Sequence, residues 1–431
     1  MFLMIPVVAL LCIELIGYIY HLKVMKFARK KRYFDIEVDT DWIENLIINV
    51  MTKDELTFWI SNSISYNCSN DDKYYNEVPL KDVPRNKMIK WTCYYLYFKS
   101  MWQLREDQIN HGKDVLSKIE EKIDIKFIER HDPNVYFLKF GNNKLECKYR
   151  PVIIYFLLSI LKHFTYINLR LSGFEYYSMN KSNITYAYYK HPDPLNNRTI
   201  MFVHGLGLGI TPYLTYLKEL KELGSVIAPI LPNLSNMDHH GFLDKINEDS
   251  FFPSYQTIRN DFKLMLEYHN INKIDVVSHS FGTIILGILL KDDEAASKIN
   301  KKIFVDPACF IDRSFKIFRY INEPGTSDDG IVNSVFNLLV YNDIYVRYIA
   351  QRFLYGPEFW VLNYEKLNTN ETLLVLSNKD SMIPSQSIYQ RCKEYNVPCL
   401  IIEDANHADI FLLNEFRDVW NTIKTFLNFD V

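Results

Sequence analysis

The run Ile274-Asp275-Val276-Val277-Ser278-His279-Ser280-Phe281-Gly282-Thr283-Ile284-Ile285-Leu286 constrains the fold more than any other part of this chain. It starts as an apolar, β-branched strand and continues at once as an apolar helical pattern, so the backbone must turn sharply between them. Small residues at 278 and 282 let the strand and helix approach, while Ser280 stands on the strained turn with its hydroxyl projecting. The helix that follows would leave unpaired N–H groups and a positive dipole end beside that hydroxyl. The pattern marks Ser280 as a candidate nucleophile and turns Ser278 away from the site.

The surrounding chain supplies a frame for such a turn. From about 171 onward, short β-branched runs alternate with helical periodicity. Strands are predicted over 199–204, 225–230, 274–278, 302–305, 372–376 and 399–402. Helices are predicted over 255–269, 281–290, 384–395 and 411–426. Alternation of this kind builds an α/β fold, a mostly parallel central sheet flanked by helices. The interval of about 309–370 is long and rich in large aromatic residues, which predicts a folded helical cap rather than a loop.

Three further motifs fall at strand ends. Ile200-Met201-Phe202-Val203-His204-Gly205-Leu206-Gly207-Leu208-Gly209 runs from a strand into a glycine-rich loop. Beside Ser280, that loop would set the Leu206 N–H next to the Phe281 N–H, a pair able to hold an oxyanion. Such donors are worth roughly 3–4 kcal/mol each. A phosphate-binding reading of the loop lacks the Lys-Ser/Thr it needs. Asp380 follows the strand at 372–376, and His407 follows the strand at 399–402. Both lie where parallel sheets carry their sites. His407 would act as base toward Ser280, and Asp380 would fix its tautomer and charge. Asp306, just past the strand at 302–305, is the alternative acid. His239-His240 has no ligand-rich partner and the seven cysteines never form CxxC, so neither a metal nor a cofactor is expected.

The amino-terminal part departs from a soluble pattern. Phe2 to Tyr20 is apolar except for Glu14, and a run of about 20 residues is long enough to cross a bilayer. Residues 1–22 are read as a single-pass signal anchor, with a buried helix as the alternative. Lys23, Lys26, Arg29, Lys30, Lys31 and Arg32 follow it, which predicts a cytosolic catalytic domain on the endoplasmic reticulum or a lipid droplet. Residues 35–170 form a helical region without a catalytic constellation. Within it, the apolar run 152–161 is too short to span a membrane as a helix, so a buried helix is expected, with an interfacial one as the alternative. A net charge of -3 gives no footprint for nucleic acid. Scattered cysteines point to reduced thiols.

From about 199 to the C-terminus the chain resembles the α/β-hydrolase superfamily. The elbow at 278–282, the glycine loop after His204 and the order Ser280, Asp380, His407 carry the resemblance. More narrowly, it is similar to a group of fungal-type membrane-anchored hydrolases. That likeness rests on Arg150-Pro151-Val152-Ile153-Ile154-Tyr155 and on Val305-Asp306-Pro307. The resemblance implies a serine hydrolase that cleaves a carboxylic ester, lipid esters included, through an acyl-Ser280 intermediate. An acyltransferase using the same triad, or a non-catalytic membrane-anchored scaffold, would keep the same fold.

Overall fold

A computed structural model describes residues 4–30, 38–66, 79–139, 145, 147–179, 184–231, 233–234, 252–310, 343–352, 364–367 and 370–428. The chain forms two compact units, one of Met1–Lys30, Leu145–Ile311 and Asp329–Val431, the other of Lys31–Lys144 and Asp312–Asp328.

The first unit opens with α1 (Met4–Ala28), the apolar segment expected from sequence, continued by two turns. Its apolar side chains from Val8 to Ile19 are largely exposed, and burial sets in only at Val24, Met25 and Ala28.

The second unit contains α2 (Thr40–Asn45), α3 (Lys53–Ser63), β1 (Ile64–Tyr66), α4 (Arg85–Tyr97), α5 (Glu106–Ile123) and β2 (Val135–Phe137). A capping box starts α3: the Thr52 hydroxyl accepts the Glu55 N–H, and the Glu55 carboxylate accepts the Thr52 N–H. Trp59, Trp91 and Tyr95 pack ring against ring at 4.9 to 5.5 Å between centroids. The buried Trp91 N–H is satisfied by Ser63 Oγ at 2.6 Å.

The first unit resumes at α6 (Val152–Leu171) and carries the main sheet. Its strands are β3 (Glu175–Ser178), β4 (Thr185–Tyr189), β5 (Thr199–Val203), β6 (Ser225–Ile230), β7 (Ile274–His279), β8 (Ile299–Val305), β9 (Thr372–Ser377) and β10 (Cys399–Ile402). Their spatial order is β10-β9-β8-β7-β5-β6-β4-β3. The run from β10 to β6 is parallel, and β4 and β3 close one edge antiparallel. The flanking helices are α7 (Leu214–Leu220), α8 (Tyr255–Tyr268), α9 (Phe281–Leu290), α10 (Asp293–Lys298), α11 (Ile344–Arg352), α12 (Ser385–Glu394) and α13 (Arg417–Asn428). Every residue of β5, β6, β7 and β9 is buried, as strands covered on both faces must be. The fold is the expected one.

Several details differ from expectation. The run expected to be a short buried helix at 152–161 is a 20-residue helix whose apolar side faces outward. Lys162 and His163 do not end it, because long polar side chains can lie along a helix flank. It stops where Gly173 takes φ +87°. The helix expected over 411–426 breaks into a single helical turn at Asp409–Leu412, a 3₁₀ turn at Asn414–Phe416 and α13. Of the expected cap at 309–370, α11 and a 3₁₀ turn at Tyr364–Leu367 are described, and 311–342 and 353–363 lie outside the described residues. His239-His240 also lies outside them. Among the described residues, no disulfide joins Cys12, Cys93, Cys147, Cys309, Cys392 or Cys399 to another of these six.

The Arg150–Tyr155 stretch has a structural reason. Arg150 and Asp343, both with fully buried side chains, pair at 2.6 Å, and the guanidinium lies 4.0 Å from the Tyr155 ring centre. The other Asp343 oxygen accepts the Tyr345 and Val346 N–H groups, capping α11. Removing either partner strands a buried charge. Arg150→Ala should therefore cost about 3–5 kcal/mol, read as a lower denaturation midpoint with little change in slope.

Candidate active site

The elbow is built as its sequence requires. β7 ends at His279, Ser280 takes φ 50° and ψ −119°, and α9 begins at Phe281. A non-glycine residue in that region is strained and persists only where its surroundings hold it. The Ser280 N–H does so by donating to the Val305 carbonyl at 2.9 Å. A Cβ at Gly282 would stand 2.2 Å from the Val203 carbonyl oxygen, so any side chain there would part α9 from β5. Ser278 is buried and its hydroxyl donates to the Ile303 carbonyl at 3.0 Å, away from the turn.

Ser280, Asp380 and His407 converge. His407 Nε2 lies 2.9 Å from Ser280 Oγ, and Nδ1 lies 2.6 Å from Asp380 Oδ2. Asp380 Oδ1 accepts the N–H groups of Met382 and Ile383 at 2.7 and 2.8 Å. With that carboxylate fixed, Nδ1 keeps its proton in either charge state, and once the ring is neutral Nε2 faces the serine hydroxyl as an acceptor. Burial alone would push the His407 imidazole down, but Asp380 against Nδ1, with Asp306 behind, holds it up at about 9.

Asp306 lies close by without touching the ring in a hydrogen bond. Its carboxylate accepts Ser377 N–H, Ser377 Oγ–H and Ala408 N–H at 2.8, 3.0 and 3.2 Å. It thereby ties the end of β9 and the residue after His407 to the end of β8. Burial works against its charge, yet His279, His407 and the Ser377 N–H hold its carboxyl below the usual range. Asp306, Asp380 and His407 bring potential metal-ligand atoms within 4.8 Å of one another. His407 already spends both nitrogens on Ser280 and Asp380, and Asp306 joins the cluster through Ser377 and Ala408 rather than through the ring.

The glycine loop sits against Ser280. A Cβ at Gly205 would meet Ser280 Cβ at 3.2 Å and His279 Nδ1 at 2.9 Å. Leu206, the expected oxyanion donor, is the next residue. Phe281, the other expected donor, is the first of α9, where a helix has no internal partner for its N–H.

A second layer was not anticipated from sequence. Tyr213 OH accepts the Gly205 N–H at 3.3 Å and lies 2.8 Å from His279 Nδ1. His204 Nε2 accepts the Leu231 N–H at 3.0 Å, and its Nδ1 donates to Gly205 O at 2.6 Å. Burial lowers His204 to about 4, which keeps it neutral and able to do both. The histidines at 204 and 279, each at the carboxyl end of a buried strand, were the available signal.

A parallel sheet that turns through a strained serine into a helix, with histidine and carboxylate arriving from the next strand ends, defines an α/β hydrolase. A model of the alpha/beta hydrolase family matches residues 200–419, and the chain belongs to that family. No curated protein matches it in sequence. Among solved structures it is similar to a carboxylesterase of the ammonia-oxidizing thaumarchaeon Nitrososphaera gargenis. The identity is 15%, covering 60% of this chain and 100% of that one, with a TM-score of 0.43. Two Bacillus subtilis enzymes are also similar. Carboxylesterase CesB matches at 11% identity over 63% of this chain and 100% of its own, TM-score 0.41. Naproxen esterase matches at 13% over 63% and 98%, TM-score 0.42.

Proposed function

We propose that this protein hydrolyses carboxylic esters through an acyl-Ser280 intermediate. The observation that carries the reading is the position of the His407 ring, held between Ser280 and Asp380 at hydrogen-bond distance on both sides. Ser280 Oγ attacks the ester carbonyl carbon and gives its proton to His407 Nε2. The N–H groups of Leu206 and Phe281 receive the oxyanion. The carbon–alkoxide bond then breaks, and the leaving alcohol takes the proton from His407. Water, deprotonated by the same nitrogen, cleaves the acyl-serine and releases the acid.

The membrane is the second half of the reading. α1 is long and apolar enough to cross a bilayer. Lys23, Lys26, Arg29 and Lys30 follow its apolar part, which favours a cytosolic hydrolase unit at the endoplasmic reticulum or a lipid droplet. An enzyme held there meets lipid esters first. A fluorophosphonate probe should label the wild-type chain, and a panel of esters of increasing acyl length should be turned over. Lack of both labelling and turnover would leave a scaffold with a hydrolase fold.

A further inference from the structure

The outward face of α6 is unlike a surface made for water. Ile153, Phe156, Ile160, Phe164, Ile167 and Leu171 recur at three- and four-residue spacing, each between 46% and 84% exposed. At 1.5 Å per residue this stripe is about 27 Å long. The other side of the same helix is fastened down along its length. Leu158, Thr165 and Leu169 are buried, and Thr165 Oγ1 lies 2.9 Å from Thr211 Oγ1. α6 has the length and hydropathy of a membrane span. A helix fastened sideways cannot cross a bilayer, but it can lie in the boundary between headgroups and acyl chains.

α1 and α6 are joined at one point. The Glu14 carboxylate accepts Tyr149 OH at 2.6 Å, Val152 N–H at 3.1 Å and Ile153 N–H at 3.4 Å. Pro151, which precedes α6, offers no side-chain cap, so the acid of α1 supplies it. That explains an acid inside an otherwise apolar run. Gly17 seals the junction, since a Cβ there would stand 2.3 Å from Val152 Cγ2. The exposed apolar surfaces of α1 and α6 therefore meet as one. Toward the end of α1 that surface gives way to a cavity of about 390 Å³, lined among the described residues by Tyr18, His21, Lys26, Arg29 and Tyr149 with three others, none of them a carboxylate. Aromatic and cationic groups together are what the water edge of a bilayer selects.

We propose that α6 is a second membrane element, its stripe seated in the interface of a bilayer beside α1. The inference rests on the membrane reading of α1 and goes beyond it, because it fixes how the hydrolase unit lies. Thr211, which α6 touches, opens the short turn ending in Tyr213, and Tyr213 OH holds the Gly205 N–H of the loop beside Ser280. A bilayer under α6 thus lies close behind that loop. Lipid is favoured over a second copy because the adjoining surface of α1 already needs an apolar solvent.

The test uses the full chain reconstituted in phosphatidylcholine–phosphatidylserine vesicles, with p-benzoylphenylalanine replacing Ile160, Phe164 or, as control, Tyr389 of α12. Illumination should give lipid adducts at 160 and 164 and none at 389. Chain-to-chain adducts at 160 or 164 would overturn the proposal in favour of self-association. Lipid adducts no more abundant than at 389 would overturn it outright. Both readouts are independent of turnover, so their failure is distinguishable from failure of the ester-hydrolase reading, which probe labelling of the same samples reports.

Discussion

Ser280→Ala should abolish ester turnover, with a loss on the order of 10⁶ in kcat, and should erase covalent labelling by a fluorophosphonate. The substitution removes one oxygen from a partly buried side chain and leaves the strained turn in place. The Ser280 N–H still donates to Val305, and Gly282 still lets α9 meet β5. His407 loses one hydrogen bond but keeps Asp380, so the stability change should stay near ~1 kcal/mol. Far-ultraviolet circular dichroism and the denaturation midpoint should therefore barely move while activity disappears. Ser278→Ala is the matched control, since its hydroxyl is tied to the Ile303 carbonyl. Labelling that survived in Ser280→Ala and vanished in Ser278→Ala would move the nucleophile two residues upstream.

The parts legible in the sequence are those where one physical requirement dominates. A strand covered on both faces must be continuously apolar, so β6 appears at the residues expected and β5, β7 and β9 within one, while the half-buried edge strand β10, equally apolar, also appears where expected. The antiparallel strands β3 and β4 escaped because tyrosine stands where aliphatic residues would mark a strand, and Glu175-Tyr176-Tyr177-Ser178 and Thr185-Tyr186-Ala187-Tyr188-Tyr189 show no aliphatic alternation. The elbow was legible because a turn between strand and helix admits few residues at 278, 280 and 282. The second layer was not. Tyr213 and His279 are brought together by tertiary packing across 66 positions, and neither stretch announces the other. α6 was misjudged for a related reason. Lys162-His163 interrupts the apolar run without ending the helix, and an apolar stripe says nothing about which way it faces.

The choice between two carboxylates is where chemistry and geometry can be separated by experiment. Asp380→Asn should cost on the order of 10⁴ in turnover, because an amide at that position would present the wrong tautomer of His407 to Ser280 and no charge to the imidazolium. Asp306→Asn should cost much less, since Asp306 holds the backbone at Ser377 and Ala408 rather than the His407 ring. The pH profile distinguishes a charge partner from a merely structural one. His407 must be neutral to accept the Ser280 proton, and its raised pKa means that kcat/KM climbs with pH above the ordinary histidine range. With Asp380 neutralised, the leading favourable interaction with the imidazolium is lost and burial prevails, so the rising limb should move to lower pH. The sign for stability is opposite. A pairing that raises the folded pKa stabilises the wild type fully below the unfolded value and is lost as pH rises toward 9. Asp380→Asn should therefore be destabilised more at pH 6 than at pH 9 relative to wild type. If Asp306→Asn shows the larger loss of turnover and the shifted limb instead, the acid partner of His407 is Asp306.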